Sequence, residues 1–81
     1  MVLIEFFTMP GCQNCGKVKA VLERVKKDIE NIQIKTIDLI EHPEEAQRYG
    51  IMGCPALAVD GRVEFVGGVD EGKLRKKLGS P

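Results

Sequence analysis

A chain of 81 residues with 43% hydrophobic content is sized for one small domain with a modest core, because domains typically hold about 100–200 residues; a single domain over residues 1–81 is expected. Twelve Lys or Arg balance twelve Asp or Glu, which argues against nucleic acid as a partner, and no apolar run nears the roughly 18 residues that span a bilayer, so no membrane association is expected. Glu5 interrupts the opening apolar run too early for a signal peptide, and three cysteines are too few, and odd in number, for a disulfide-stapled secreted scaffold, so the chain reads as cytoplasmic with thiols kept for reactivity or metal.

Val2 to Phe7 is a short apolar run closed by Thr8-Met9-Pro10-Gly11, the pattern of a buried strand and a turn. Val18, Val21, Leu22, Val25 and Ile29 then recur at spacings of three and four between charged residues, which predicts an amphipathic helix. Ile32 to Leu39 is β-branched and alternating and predicts a second strand; strand, helix, strand implies a parallel pair. Pro43-Glu44-Glu45 suits a helix start, and the helix should run to Tyr49 and stop at Gly50. Ala56 to Val59, the Asp60-Gly61 turn signal and Val63 to Val66 predict a β-hairpin. Asp70 is placed to cap a last helix with Leu74 and Leu78 inward and Lys73, Arg75, Lys76 and Lys77 on a solvated face. The order βαβαββα makes an α/β fold, a central four-stranded mixed sheet flanked by helices.

Cys12-Gln13-Asn14-Cys15 falls between the first strand and the first turn of the helix. Unpaired N–H groups and the helix dipole there favour an anion, so Cys12 should be more acidic than a free thiol and act as nucleophile. Cys15 lies three residues on, within disulfide reach and facing inward, as the resolving thiol. Cys12 attacks a partner's disulfide, and Cys15 displaces the mixed disulfide; no metal or organic cofactor is needed beyond the Cys12–Cys15 pair. The bland alternative is two buried cysteines acting as small hydrophobes. The sharper one is a metal or metal-cluster carrier on Cys12 and Cys15, since paired thiolates suit Zn or Cu(I). Copper-binding domains of this length have the order βαββαβ, and Met9 is one residue too far from Cys12 for their pattern. A structural zinc site on Cys12, Cys15, Cys54 and His42 lacks the spaced pairs such sites use; His42 reads as a capping or loop residue.

Gly53-Cys54-Pro55 precedes the hairpin, and a proline opening a strand is compatible with the ladder in either isomer. A cis bond would bring the Cys54 backbone beside the helix that carries Cys12.

With these residues in hand, the chain resembles the thioredoxin superfamily, in particular the small thioredoxin-like or glutaredoxin-like proteins of archaea and bacteria. The likeness rests on Phe7-Thr8-Met9-Pro10-Gly11-Cys12-Gln13-Asn14-Cys15, on Tyr49-Gly50-Ile51-Met52-Gly53-Cys54-Pro55 and on Gly67-Gly68-Val69-Asp70. It implies that Cys12 attacks, that Cys15 resolves, and that Pro55 is the cis-proline whose preceding residue, Cys54, offers backbone hydrogen bonds to an extended substrate. Gly11 in place of the usual thioredoxin Trp, Gln13-Asn14 in place of Gly-Pro, and Cys54 before the proline are departures. Gly67, Gly68 and Asp70 read either as an anion-receiving helix start or as close backbone packing.

Two residues carry open readings. Glu5 is either a buried carboxyl exchanging a proton with Cys15, as thioredoxins hold a buried acid in a similar strand, or an edge residue paired with Lys35. Cys54 is either a third redox thiol or a small residue fitting the proline turn. The resulting expectation is a monomeric thiol–disulfide oxidoreductase that reduces disulfide-containing proteins and is recharged by an upstream disulfide reductase or a small thiol.

Overall fold

Alternation of apolar side chains in the strands and their three-and-four spacing in the first helix decide what each element buries. The computed structural model of the protein describes residues 2–51 and 53–79, so Met52 of the quoted motif lies outside the described residues. The elements are β1 (Val2–Thr8), α1 (Cys15–Asp28), β2 (Ile32–Asp38), α2 (Pro43–Tyr49), β3 (Ala56–Val59), β4 (Arg62–Val66) and α3 (Glu71–Lys77). They form a four-stranded sheet in the order β2-β1-β3-β4. β1 runs parallel to β2 and antiparallel to β3, and β3 and β4 are antiparallel. This is the expected βαβαββα mixed sheet. β1 extends one residue further, to Thr8, whose carbonyl accepts from the Leu39 N–H at 2.9 Å.

Ile4 and Phe6 pack with Val18, Val21, Leu22 and Val25 of α1 and Leu74 of α3. Phe7 points the other way, into a second cluster with Ile37, Leu39, Ile51, Ala56 and Ala58, against which Ala46 and Tyr49 of α2 rest. Each fully buried aliphatic side chain contributes about 1.5–3 kcal/mol, so the α1 stripe is the main anchor on its side, whereas α2 buries no residue fully. The hairpin turns on Asp60 and Gly61, at φ 50° and 84°, the left-handed pair that matches strand twist. The Asp60 carboxylate accepts from the Leu3 N–H at 2.9 Å, which ties the turn to β1.

The register puts Phe7 beside Ala56 and Ala56 beside Val66. The end of β1, the start of β3 and the end of β4 therefore meet at one end of the sheet, which positions the site.

The basic run of α3 is not simply solvated. Arg75, 23% exposed, pairs with Asp28 and Glu71, and Lys77 pairs with Glu64 at 2.7 Å. Glu71 also accepts two hydrogen bonds from Arg24, so it ties α3 to α1. The Arg24 hydrogen bonds, then that of Arg75, hold the Glu71 carboxyl below the usual carboxylate range. A pKa lowered by folding stabilises the fold above the unfolded-state value and loses that contribution as pH falls through the folded-state value. Glu71→Gln should therefore lower the melting temperature slightly at pH 7, and the gap should close below about pH 4; melting curves of both proteins at pH 7, 5 and 3 check it.

Candidate active site

β1 delivers the chain to a turn in which the Cys12 N–H donates to the Met9 carbonyl at 3.2 Å. Cys12 lies ahead of α1 and Cys15 is its first residue, so the helix begins later than the placement expected for Cys12. The sulfur of Cys12 reaches the helix end through its disulfide with Cys15, across a Cα–Cα distance of 5.5 Å. Asn14 holds the N-cap position, yet its side chain makes no capping hydrogen bond and the first turn carries no acid. The orphan N–H groups and the positive dipole end are thus left to act on sulfur.

Cys15 is half-buried and packs against the α1-side core. The Thr8 hydroxyl donates to its Sγ at 3.0 Å. This contact escaped the sequence reading, although Thr8 shares the strand parity of Ile4 and Phe6, which is the signal for it. Once the disulfide is reduced, the same hydroxyl is within reach of the Cys15 sulfur, and a hydrogen bond to a thiolate favours the charged form, so Thr8→Val is expected to reduce the thiolate fraction of Cys15 and slow resolution by about three- to tenfold. Alkylation of Cys15 followed against pH in a Cys12→Ser background should show its midpoint moving upward; an unchanged midpoint would remove Thr8 from the mechanism.

The Cys54–Pro55 peptide bond is cis, which decides between the two isomers left open by the sequence. Pro55 is buried, and its carbonyl accepts from the Gly67 N–H at 2.7 Å. Gly67 takes φ +85°, a conformation that favours glycine. Its carbonyl accepts from the Asn14 amide at 3.5 Å, so the CxxC loop, the cis-proline turn and the end of β4 are tied together. Cys54 is a free, half-buried thiol, and the Sγ atoms of Cys12, Cys15 and Cys54 all lie within 4.8 Å of one another.

Other sequence candidates are placed differently. Glu5 is buried at 6% exposure on β1, between β2 and β3, and so is not an edge residue. It stands opposite Lys35 in the strand register, but its carboxylate instead accepts from the Tyr49 hydroxyl at 2.6 Å. It shares the parity of Phe7 and faces α2, whereas Thr8 and Cys15 lie on the α1 side. The sheet separates Glu5 from Cys15, which corrects the expectation of direct proton exchange. Tyr49, missed in the sequence, is its real partner; that hydrogen bond first, then burial, pushes the phenol above its ordinary value.

A Cβ at Gly67 or Gly68 would meet no atom within 4 Å, so close packing does not explain the glycine pair. Asp70 caps α3, accepting from the Lys73 N–H at 3.1 Å, and its carboxylate already occupies the helix start where an anion was expected. His42 stands exposed at the start of α2 with Nδ1 3.2 Å from Glu44.

Comparison with known proteins agrees with this geometry. The model of a family described as thioredoxin domain matches residues 2–79. A thioredoxin from Methanocaldococcus jannaschii is 39% identical over 67 residues, covering 82% of this chain and 79% of that protein. A probable thioredoxin from Archaeoglobus fulgidus is 35% identical over 79 residues, covering 96% and 87% respectively. The solved structure of a single-residue variant of thioredoxin from Halobacterium salinarum superposes with a TM-score of 0.80 at 27% identity, covering 95% of this chain and 71% of that one. A match that runs from the first strand past the last helix, over a chain whose cysteine pair closes into a disulfide at the mouth of α1, puts this protein in the thioredoxin family as a thiol–disulfide oxidoreductase.

Proposed function

We propose that the protein reduces the disulfides of other proteins, with Cys12 as the attacking thiol and Cys15 as the resolving thiol. The Cys12 thiolate attacks one sulfur of the substrate disulfide, forming a mixed disulfide and expelling the other substrate sulfur as a thiolate. Cys15 then attacks Cys12 Sγ, forming the intramolecular disulfide and releasing the second substrate thiolate. Two electrons pass to the substrate, and an upstream disulfide reductase or a small thiol restores the dithiol. The cycle needs no further cofactor, and a monomer in the reducing cytoplasm suits it. Among the described residues no helix is long and apolar enough to cross a membrane.

The observation that carries this reading is the Cys12–Cys15 disulfide at the mouth of α1, beside the cis-Pro55 turn. The backbone of Cys54 ahead of Pro55 is the segment we assign to pairing with an extended substrate strand, with Gly67 bracing it. The test is dithiothreitol-driven reduction of insulin, read as precipitation of the freed chain. The protein should accelerate it well above dithiothreitol alone; no acceleration would overturn the assignment.

A further inference from the structure

Three sulfurs, not two, meet at the mouth of α1. The Sγ atoms of Cys12, Cys15 and Cys54 lie within 4.8 Å of one another and all three residues are half-buried. The oxidised form commits two of them to the disulfide, and reduction frees those two beside the Cys54 thiol, which is already free. Donors held about 2.3 Å from a metal sit roughly 4 Å apart around it, a separation the cluster reaches by small side-chain rotations.

We propose that the reduced protein binds one Cu(I) ion through Cys12, Cys15 and Cys54. An all-sulfur donor set is soft and selects Cu(I), zinc or iron–sulfur clusters over Mg or Ca. Structural zinc wants a fourth protein ligand, but the chain's one histidine, His42, is engaged with Glu44 at the start of α2 and is not in the sulfur group. Cu(I) is satisfied by three thiolates alone. The site would carry net negative charge, which the positive end of α1, with no acid in its first turn, stabilises. On binding, Cys12 coordinates as its thiolate, the Cys15 and Cys54 S–H groups lose their protons, and three S–Cu bonds form as the delivering chelator's bonds to the ion break; no electron moves, and the ion enters and leaves as Cu(I). Oxidation to the Cys12–Cys15 disulfide by a substrate disulfide, which takes up the two electrons and leaves as two thiols, removes two of the three donors and releases the ion as Cu(I), so bound metal and the disulfide exclude each other. Binding requires only that the disulfide be reduced, which dithiothreitol does chemically, so it stands or falls apart from the reductase reading.

The experiment titrates the reduced full chain, freed of dithiothreitol under anaerobic conditions, with Cu(I) supplied as its complex with a chromogenic chelator. Metal per chain and the number of sulfur neighbours are then read by X-ray absorption. The expected result is one Cu(I) per chain with three sulfurs, no uptake by the oxidised form, and Cys54→Ser showing two sulfurs with retention weaker by about tenfold or more. No uptake by the reduced chain, two sulfurs in the wild type, or Cys54→Ser holding the ion as tightly as the wild type would each overturn the site. Cys54→Ala and thermal melts guard against a folding defect, and the wild-type sulfur count decides the question without any variant.

Discussion

Replacing Cys12 with serine should remove dithiothreitol-driven insulin reduction, a fall of about 10³-fold or more into the assay background, because a hydroxyl neither ionises near neutral pH nor attacks a disulfide. Cys15→Ser should lose turnover as well, but in a different way. Cys12 still attacks, and in protein reduced beforehand and freed of dithiothreitol nothing behind it resolves the intermediate, so substrate remains attached through Cys12, visible as an added mass that later addition of reductant removes. The third sulfur sharpens the experiment. Cys54 Sγ lies within 4.8 Å of both sulfurs of the pair, so in Cys15→Ser it is the remaining thiol able to attack the mixed disulfide. If Cys54 takes part in the redox chemistry, the trapped species should decay through a Cys12–Cys54 disulfide, and the double variant Cys15→Ser with Cys54→Ser should hold it longer. Equal lifetimes would leave Cys54 out of the cycle. Insulin reduction that survives in Cys12→Ser would move the nucleophile elsewhere.

Local signals were legible because the interactions behind them are local. Val18, Val21, Leu22 and Val25 mark the buried stripe of α1 by spacing alone, Asp60-Gly61 marks the hairpin turn by its conformational demand, and Asp70 caps α3 with its own side chain. Glu5 shows where this stops. Its parity with Phe7 can be read along β1, but which helix covers that face depends on how α1 and α2 cross the sheet, which no window of sequence contains. The same holds for Thr8, whose hydroxyl finds Cys15 only once α1 packs back on β1, and for Tyr49, which meets Glu5 across 44 positions of chain. The basic run of α3 misled for a related reason. Arg75 lies between Glu71, four residues back on its own helix, and Asp28 at the end of α1, and only the second of these is invisible in the local pattern. The site itself was readable at Cys12 and Cys15, where a motif carries it, whereas the approach of Cys54 to within 4.8 Å of them could be expected only through the family resemblance and the proline turn, because it depends on how distant segments meet.

The largest stability effect should come from the face of the sheet away from the cysteines. Phe7 is fully buried, and its ring lies 5.3 Å from that of Tyr49 at 57°. α2 contributes no fully buried residue, so its seat on the sheet depends on Tyr49 resting against Phe7 and on the Tyr49 hydroxyl reaching Glu5. Phe7→Ala leaves a cavity that the neighbouring Ala56 and Ala58 are too small to fill, and such deletions cost about 3–5 kcal/mol. For 81 residues the whole stability is roughly 4–12 kcal/mol, so the variant should melt about 15–30 °C lower. Phe7→Leu, which keeps much of the volume, should cost about 1 kcal/mol. Because Phe7 points away from Thr8 and Cys15, the rate per folded molecule should stay within about twofold of wild type below the melting transition. A drop of less than about 5 °C would mean that α2 is held by something other than this ring pair. A large loss of rate in protein that remains folded would mean that the two faces of the sheet are coupled through β1.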